Sequence, residues 1–359
     1  MWRNVVFAFI MICLFTGAAG AEWVPLSGGA EGSEPVATVL ETDSTHTLIA
    51  VDIPGMFVIP EQADGELYHH IVIPDSGHSQ EVGAPAVPRV VFEVAVPDRA
   101  PVTIREVHRD TRTLEGILPN PVQEPTTDMR QPEGFTINSE LYRTDTTVPE
   151  NTLELSKPMI WRDVRFVNTS IYPVTVNPAS RTVTAAGRII YELIYTDGDA
   201  VNPKLHRNRG VSPALEPMYR SALLNYDALN LPLDRSRDTS VTYLIIADDS
   251  LMSSIMPLAD WHTRTGIYTE VVAASTVGTT PAEFKAFIQT YYDNEGTEYV
   301  LLVGETTTVP LGNTGSLNPG DYSYQLLEGG DDIADLACGR IITTDPNIVD
   351  HVVARTLNY

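Results

Sequence analysis

The sequence predicts two unlike domains in one chain, an all-β sandwich and, after it, an α/β layer built on a parallel sheet. Residues 22–237 contain short runs that alternate between apolar and polar side chains and are interrupted by prolines, as antiparallel sandwich strands are. Residues 238–359 contain continuous apolar runs separated by helical segments, which is typical of strands buried on both faces of a parallel sheet. The chain is therefore predicted to be multidomain.

The composition indicates a folded and strongly acidic protein. The 359 residues are 43% hydrophobic, and 47 acidic residues against 23 basic ones give a net charge of −24. A nucleic-acid-binding protein needs a basic face that displaces counterions from phosphates, so this balance argues against that class. The excess of carboxylates suits a protein that binds hard cations such as calcium. Two cysteines are too few for a disulfide scaffold or a cysteine-rich zinc site.

Residues 1–21 have the features of a secretory signal peptide. Arg3 precedes an apolar run at 5–15, and small residues follow as far as Ala21. The run is too short to cross a bilayer as a membrane anchor, so we expect cleavage after residue 20 or 21 and a secreted protein. No later stretch of the sequence approaches 18 apolar residues, so we expect no later transmembrane span. Cleavage would remove Cys13 and leave Cys338 as the only cysteine in the sequence of the mature chain.

Residues 22–237 are predicted to form the sandwich. The predicted strands are 47–53, 68–73, 90–96, 103–107, 168–176 and 181–195. Prolines at the ends of many runs remove a donor from the ladder, which suits strand ends and sheet edges. Residues 177–180 are predicted to form a hairpin turn and 123–150 the loosest loop, and the first helical periodicity is at 216–225.

Residues 238–359 are predicted to alternate strands with helices. The strands are expected at 241–247, 267–274, 299–304 and 336–342, and the helices up to 266, at 281–294 and at 346–359. The segment 248–250 can cap the first helix, and Pro281 suits the first turn of the second. The last helix has no capping residue, so we expect the chain to stop inside an unfinished element.

The common catalytic motifs are absent from the sequence, which has no nucleophile elbow, Walker loop, dinucleotide-binding glycines or His-Glu-x-x-His. Asp248 and Asp249 follow the first parallel strand, as the acidic pair of response-regulator receivers does. Glu305 stands where a receiver would have its acceptor aspartate, so a helix cap is the favoured interpretation. Cys338 lies in the middle of a strand and is interpreted as a small buried hydrophobe rather than a nucleophile.

An acidic loop that contains two glycines, Gly329 and Gly330, precedes the last predicted strand. Its carboxylates are those of Glu328, Asp331, Asp332 and Asp335. Hard oxygen ligands close together, with carbonyls between them, are what calcium prefers in proteins. The spacing is not that of an EF-hand, and an acidic loop that simply faces water is the alternative that composition alone favours.

Motifs across the chain resemble the gingipain-type cysteine peptidases and their N-terminal propeptide. They are residues 243–246, 255–266, 299–305 (YVLLVGE), 309–310, 321–322, 335–340 (DLACGR) and 355–359, with 83–88 and 162–178 in the first domain. Each motif is short, but the motifs follow one another in the same order as in the family, and the resemblance covers nearly the whole chain after the signal segment. The resemblance implies a secreted zymogen whose propeptide, a β-sandwich, packs on its own caspase-like peptidase domain, and whose substrates are proteins or peptides.

The resemblance also implies a structural calcium site and the place of the catalytic residues. The implied calcium ligands are Glu305, Glu328, Asp331, Ile333 through its carbonyl, and Asp335. In the family the catalytic His and Cys lie downstream of the helix that contains the Arg-Thr pair at 355–356. No residue is therefore assigned as catalytic, and we expect the 359-residue chain alone to be inactive although its parent protein is a cysteine endopeptidase.

The segment between the two domains is the expected processing site. Arg235 and Arg237 lie in a polar, turn-prone stretch where proteases cut, and cleavage after Arg237 is preferred. Two other functions remain open: a non-catalytic secreted binding module whose sandwich binds a partner, and a flavodoxin-like domain that binds a small molecule. A His-Gly followed by a Cys-x-x-Gly beyond residue 359 would decide for the peptidase.

Overall fold

The computed structural model describes residues 20–125, 134–205, 210–233, 240–312 and 320–358. Within these ranges the first part of the chain forms three antiparallel sheets and the second part forms one parallel sheet of four strands. The predicted fold class is therefore confirmed. Residues 1–19 of the predicted signal peptide and the predicted processing residues, Arg235 and Arg237, lie outside the described residues.

The first part is built from strands and ends in one short helix. Its elements are β1 (Glu22–Pro25), β2 (Val36–Thr42), β3 (His46–Asp52), β4 (Gly55–Ala63), β5 (Glu66–Val72), β6 (Gly77–His78), β7 (Pro88–Ala95), β8 (Val102–Glu115), β9 (Leu153–Leu155), β10 (Met159–Trp161), β11 (Val164–Ile171), β12 (Val174–Asn177), β13 (Thr182–Tyr195) and α1 (Glu216–Ala222). The predicted strand 168–176 is in fact the end of β11 and most of β12, because Pro173 between them has no N–H for the ladder. The predicted strand 103–107 is too short, since β8 pairs along the whole of β13.

The sandwich core lies between sheets whose strands alternate inward and outward. One sheet has the order β12-β13-β3-β2, with β8 on the other edge of β13, and a second has the order β10-β11-β7-β6, with β9 on β11. Ile49 and Val51 of β3, Val94 of β7, Val167 of β11 and Ile189 of β13 are fully buried in one cluster. Buried and less buried residues alternate along most of β13, which is the pattern from which the sandwich was predicted.

The second part is an open layer with helices on both faces. Its elements are β14 (Tyr243–Ala247), α2 (Met252–Arg264), β15 (Thr269–Ala273), α3 (Ala274–Val277), α4 (Pro281–Glu295), β16 (Tyr299–Val303), β17 (Ala337–Ile341) and α5 (Pro346–Leu357). The strand order is β15-β14-β16-β17, with all neighbours parallel. Residues of α4 pack with one set of alternate strand residues, and residues of α2 and α5 pack with the other. Both sides of β14 and β16 are therefore buried, as their continuous apolar sequences predict.

A search of the described residues for helices long and apolar enough to cross a membrane finds none.

A buried arginine fixes the loops at one end of the sandwich. Arg165 of β11 is 1% exposed, and its guanidinium donates hydrogen bonds of 2.6–3.1 Å to the carbonyl oxygens of Pro97, Ala100, Val201 and Asn202. Burial lowers the pKa of this guanidinium, and the nearby carboxylate of Asp98 opposes that shift. Two loops that are distant in sequence are therefore held by one side chain.

We predict that replacing Arg165 with Met destabilises the protein by more than about 3 kcal/mol, because four inward-facing carbonyls lose a charged donor. The matched control is Arg105→Met in β8. The Arg105 side chain is 65% exposed and pairs with Glu192 on the surface, so its loss should change stability by less than about 1 kcal/mol. Urea unfolding measures both, and equal effects of the two substitutions would contradict the role given to Arg165.

Candidate functional site

The carboxyl ends of β14 and β16 place three acidic residues at one edge of the parallel sheet. Asp248 caps the short 3-10 helix before α2, with its Oδ1 accepting from the backbone N and the Oγ of Ser250 at 2.9 and 2.6 Å. These bonds lower the pKa of Asp248. Asp249 accepts from the backbone N and the Oγ of Ser275. The capping interpretation of this acidic pair is confirmed.

The glycine that precedes Glu305 allows the ends of these two strands to meet. Gly304 has a φ of +144°, and a Cβ there would lie 2.9 Å from Val309 and 3.2 Å from Asp248. The backbone carbonyl of Glu305 accepts from the amides of Thr308 and Val309, and its side chain is half-buried. The Val-Gly-Glu sequence therefore forms a tight turn at the edge where open α/β sheets place their sites.

Cys338 lies on an edge strand, not on a fully buried one as the sequence predicts. β17 pairs with β16 alone within the described sheet, and Cys338 is half-buried against the cluster that contains α4. Burial raises the pKa of its thiol to about 12, and the carboxylate of Asp321 adds to that shift. His262 lies on α2 and the exposed His351 on α5, which cover the opposite face of the sheet. The described residues thus give Cys338 no histidine partner.

We predict that Cys338 resists alkylation. At pH 8 a thiol with a pKa of about 12 is ionised in roughly one molecule in ten thousand. Iodoacetamide should therefore label Cys338 at least about a hundredfold more slowly than an exposed cysteine. Peptide mapping of the Ser180→Cys chain gives both rates in one digest, because Ser180 is exposed on the turn between β12 and β13. Similar labelling rates at the two positions would contradict the buried, protonated thiol.

Arg340 of β17 joins two of the motifs that carried the resemblance. Its guanidinium makes two hydrogen bonds to the carboxylate of Asp321, at 2.6 and 2.8 Å, and others to the carbonyls of Val309 and Pro310. The Arg340 side chain is 7% exposed, so the pair is largely removed from water. The segments 309–310 and 321–322 are therefore positioned by one buried arginine, which sequence reasoning did not single out.

The acidic loop at 328–335 lies against the sandwich and not in water. Glu328 and Asp335 are 3% and 2% exposed, and Asp331 is half-buried, whereas Asp332 faces solvent. Lys285 of α4 donates through Nζ to the backbone carbonyls of Ser323 and Leu326, just before the loop. The water-facing alternative therefore does not hold for the two buried carboxylates.

Asp335 and Asp331 accept hydrogen bonds from both parts of the chain. Asp335 accepts through Oδ2 from the amides of Leu327 and Glu328, both at 2.7 Å, and through Oδ1 from the amide of Arg162 at 3.2 Å. Burial raises the pKa of Asp335 to about 6, although these amide bonds act in the opposite direction.

The second carboxylate is held by three donors. Asp331 accepts through Oδ1 from the amide of Ile333 at 2.8 Å, and through Oδ2 from the amide of Ile160 at 2.8 Å and from Asn202 Nδ2 at 2.7 Å. Ile160 and Asn202 belong to the sandwich. The Nζ of Lys204, also from the sandwich, lies 3.5 Å from the carboxylate of Glu328, and both side chains are 2% exposed.

Arg162 enters the α/β layer from the turn between β10 and β11. Its guanidinium donates to the carbonyls of Gly296, Thr297 and Asp335 at 2.7–3.1 Å and lies over the ring of Tyr292, 5.1 Å from the centroid. Gly296 and Thr297 follow the C-terminus of α4, the end of a helix that favours a cation. Sequence reasoning missed Arg162, Asn202 and Lys204, because contacts between distant segments leave no periodic signal.

The predicted calcium ligands do not form a metal-binding group in this structure. Glu41 of β2, Asp43 of the following turn and His46 of β3 each offer a ligand atom within 4.8 Å of the other two. No other such group of three His, Cys, Asp or Glu side chains is found among the described residues. Asp43 is engaged there by Thr45 and the amide of His46, which hold its pKa at about 2. The predicted ligands have suitable oxygen chemistry, but sandwich residues contact the carboxylates of Glu328, Asp331 and Asp335.

These observations define a two-domain protein in which an antiparallel sandwich is docked on an open α/β layer through buried polar contacts. Residues 30–230 match the C25 propeptide family, and residues 236–359 match peptidase family C25. The chain therefore belongs to the C25 peptidase family, with a propeptide region followed by a peptidase region.

Individual relatives are distant in sequence and longer than this chain. Gingipain R2 of Porphyromonas gingivalis (strain W83) is 23% identical over 285 residues, which are 78% of this chain and 38% of that protein. Lys-gingipain of the same species (strain ATCC 33277) is 24% identical over 315 residues, 83% of this chain and 18% of that protein. The chain thus spans well under half the length of these curated relatives. A solved complex of the pro- and mature domains of Porphyromonas gingivalis RgpB matches with a TM-score of 0.49 at 18% identity, over 54% of this chain and 97% of that one.

Proposed function

We propose that this chain is the propeptide and the first part of the peptidase domain of a secreted cysteine endopeptidase, which cleaves proteins or peptides once the propeptide has been removed. The observation that carries the proposal is the docking of the sandwich on the α/β layer, with Arg162 buried in that layer. Membership of a peptidase family supports it. The apolar run at 5–15, followed by small residues, supports secretion.

Maturation, on this proposal, cuts the chain between its two domains. Arg235 and Arg237 are the basic residues of the connecting stretch, and cleavage after Arg237 would start the mature chain at Asp238. Because residues 30–230 match the propeptide family and 236–359 the peptidase family, a cut there would separate the two family regions almost completely.

The proposed peptidase activity requires a thiolate beside a base, and we expect the 359-residue chain by itself to lack one. Cys338 is protonated and half-buried, and His262 and His351 lie on helices of the other sheet face. The purified chain should therefore not hydrolyse a broad fluorogenic peptide library, whereas the protein expressed from the complete gene and allowed to mature should hydrolyse it and lose that activity on thiol alkylation.

Two controls separate the parts of this expectation. The Cys338→Ala substitution should leave the activity of the matured protein unchanged, apart from any effect on folding that its melting temperature would reveal. Hydrolysis by the 359-residue chain that disappears in its Cys338→Ala variant would overturn the assignment of Cys338. A matured full-length protein that is inactive on every peptide, or insensitive to alkylation, would overturn the cysteine peptidase itself.

A structural calcium ion is also proposed for the peptidase domain. Its ligands would be the carboxylates of Glu305, Glu328, Asp331 and Asp335 and the carbonyl of Ile333. A set made only of oxygen donors, most of them within eight residues, suits calcium chemistry. Calcium would fix the loop before β17.

A further inference from the structure

We propose that a cavity at one end of the sandwich binds a C-terminal arginine, the group that cleavage after Arg237 would create on the sandwich itself. The carboxylate of that residue is bound by the buried ammonium of Lys204, and its guanidinium is bound by the carboxylate of Asp98. The inference rests on the proposed cleavage after Arg237 and adds a site that holds the cut end of the chain.

The cavity lies among the loop after β7, the start of β11 and the chain segments 204–205 and 229–232. Its volume is about 750 Å³, which is within the range of cavities that bind small ligands. Apolar side chains line much of it, and two of them, Leu205 and Leu231, are 60% and 39% exposed. An open cavity with an apolar wall and a few charged groups suits an arginine, which has an aliphatic stem and a charged end.

Lys204 supplies a buried positive charge that lacks a hydrogen-bond acceptor. The residue lines the cavity and is 2% exposed, and its Nζ has no hydrogen-bond partner among the described residues. The Glu328 carboxylate lies 3.5 Å away, which balances the charge but is longer than a usual N–H···O bond. An ammonium carries three N–H donors, and buried donors are normally satisfied. A carboxylate that enters the cavity provides acceptors for them.

Asp98 supplies the opposite charge beside Lys204. Its backbone carbonyl accepts from the Lys204 amide at 2.8 Å, so the two residues are adjacent in the cavity wall. The guanidiniums of Arg99 and Arg165, which also belong to the wall, donate to backbone carbonyls and not to this carboxylate. Because Asp98 is exposed, an incoming guanidinium can reach its carboxylate and make two parallel hydrogen bonds to it.

The chain leaves the cavity close to the proposed cut. Leu231 and Pro232 belong to the wall, and the Pro232 carbonyl accepts from the Val211 amide at 2.8 Å. Arg237 is four residues beyond Leu233, so it can reach at most about 14 Å from that residue. A group tethered at such a distance has an effective concentration on the order of millimolar, so even a weak site is enough to hold it.

The cavity distinguishes the cut chain from the uncut one. In the uncut chain residue 237 is followed by a peptide bond, whose carbonyl is neutral, whereas the cut chain ends in a carboxylate. Hydrogen bonds to a charged group are roughly twice as strong as those between neutral groups. Cleavage therefore creates the ligand of the site, and the cut end is retained on the sandwich.

The test is isothermal titration calorimetry of the full 359-residue chain with three peptides. The first is acetyl-Asp-Arg-Ser-Arg, the sequence of 234–237, with a free carboxylate. The second is its C-terminal amide, and the third ends in citrulline, a neutral isostere of arginine. We expect the free acid to bind at least about tenfold more tightly than the amide and at least about fivefold more tightly than the citrulline peptide, because each change replaces a charge-assisted contact with a neutral one.

Variants assign the two contacts to their residues. Lys204→Met should abolish the preference for the acid over the amide, and Lys157→Met, at an exposed lysine, is the matched control and should keep it. Because Lys204→Met also removes the ion-pair partner of Glu328, the melting temperature shows whether it is folded when titrated. Asp98→Asn changes an exposed residue, and it should abolish only the preference for arginine over citrulline.

The matured protein from the complete gene supplies a reading in the cut state. Carboxypeptidase B removes a C-terminal arginine, so an end that is held in the cavity should be trimmed more slowly in the wild type than in Asp98→Asn. Mass spectrometry of the sandwich identifies the residue at which it ends.

The outcomes separate the site from the proposed processing. Equal affinity for the acid and the amide, or a preference for the acid that persists in folded Lys204→Met, would overturn the carboxylate contact and with it the site. Binding of none of the peptides would show that the cavity holds solvent only and would also overturn the site. A sandwich that ends at another residue, with the peptide preferences intact, would overturn cleavage after Arg237 and the cut end as occupant, and would keep the cavity's preference for a C-terminal arginine.

Discussion

The burial of one guanidinium, that of Arg162, is the interaction on which the joining of the two domains depends. The guanidinium contacts the end of α4, the ring of Tyr292 and the backbone of Asp335, the last residue of the acidic loop. The backbone amide of Arg162 also donates to the Asp335 carboxylate. Three features of the α/β layer are thus oriented by a single residue of the sandwich. Loss of this guanidinium would leave the carbonyls of Gly296, Thr297 and Asp335 without their donor at once, so one side chain has a large influence on the docking of the two domains.

The strands next to this contact explain why it forms at the edge of the sandwich. β10 pairs with β11 on one side, and on its other side the amides of Ile160 and Arg162 point away from the ladder. The amide of Ile160 in β10 meets the carboxylate of Asp331, and the amide of Arg162 in the following turn meets that of Asp335. An unpaired strand edge is usually a site of unwanted association, and here acidic side chains of the neighbouring domain satisfy it.

The sequence predicted regular elements well and contacts between distant segments poorly, for a physical reason. Alternation along β13 and the continuous apolar run of β14 are local signals of which faces are buried, and both strands were predicted within two residues. The roles of Arg162 and Lys204 depend on residues more than 120 positions away in the chain, and nothing local marks them. Composition alone favoured an acidic loop that faces water, and the calcium site was predicted from the family resemblance. Neither could show that Lys204 and the amide of Ile160 contact carboxylates of this loop. Cys338 was placed in a buried strand because its run is apolar, and an apolar run does not reveal which strand lies at an edge.

Basic residues are scarce in this chain, yet several of them are buried. Only 23 of 359 residues are Lys or Arg, and acidic residues outnumber them in both domains, so the domains repel each other at long range. Arg162, Arg165, Lys204 and Arg340 are nevertheless taken out of water, each to bind carbonyls or carboxylates of another segment. Long-range repulsion between exposed carboxylates is weakened by salt, whereas the short buried contacts are screened much less. The docked state is therefore selected by a few dry contacts that act against a general repulsion between the two acidic domains.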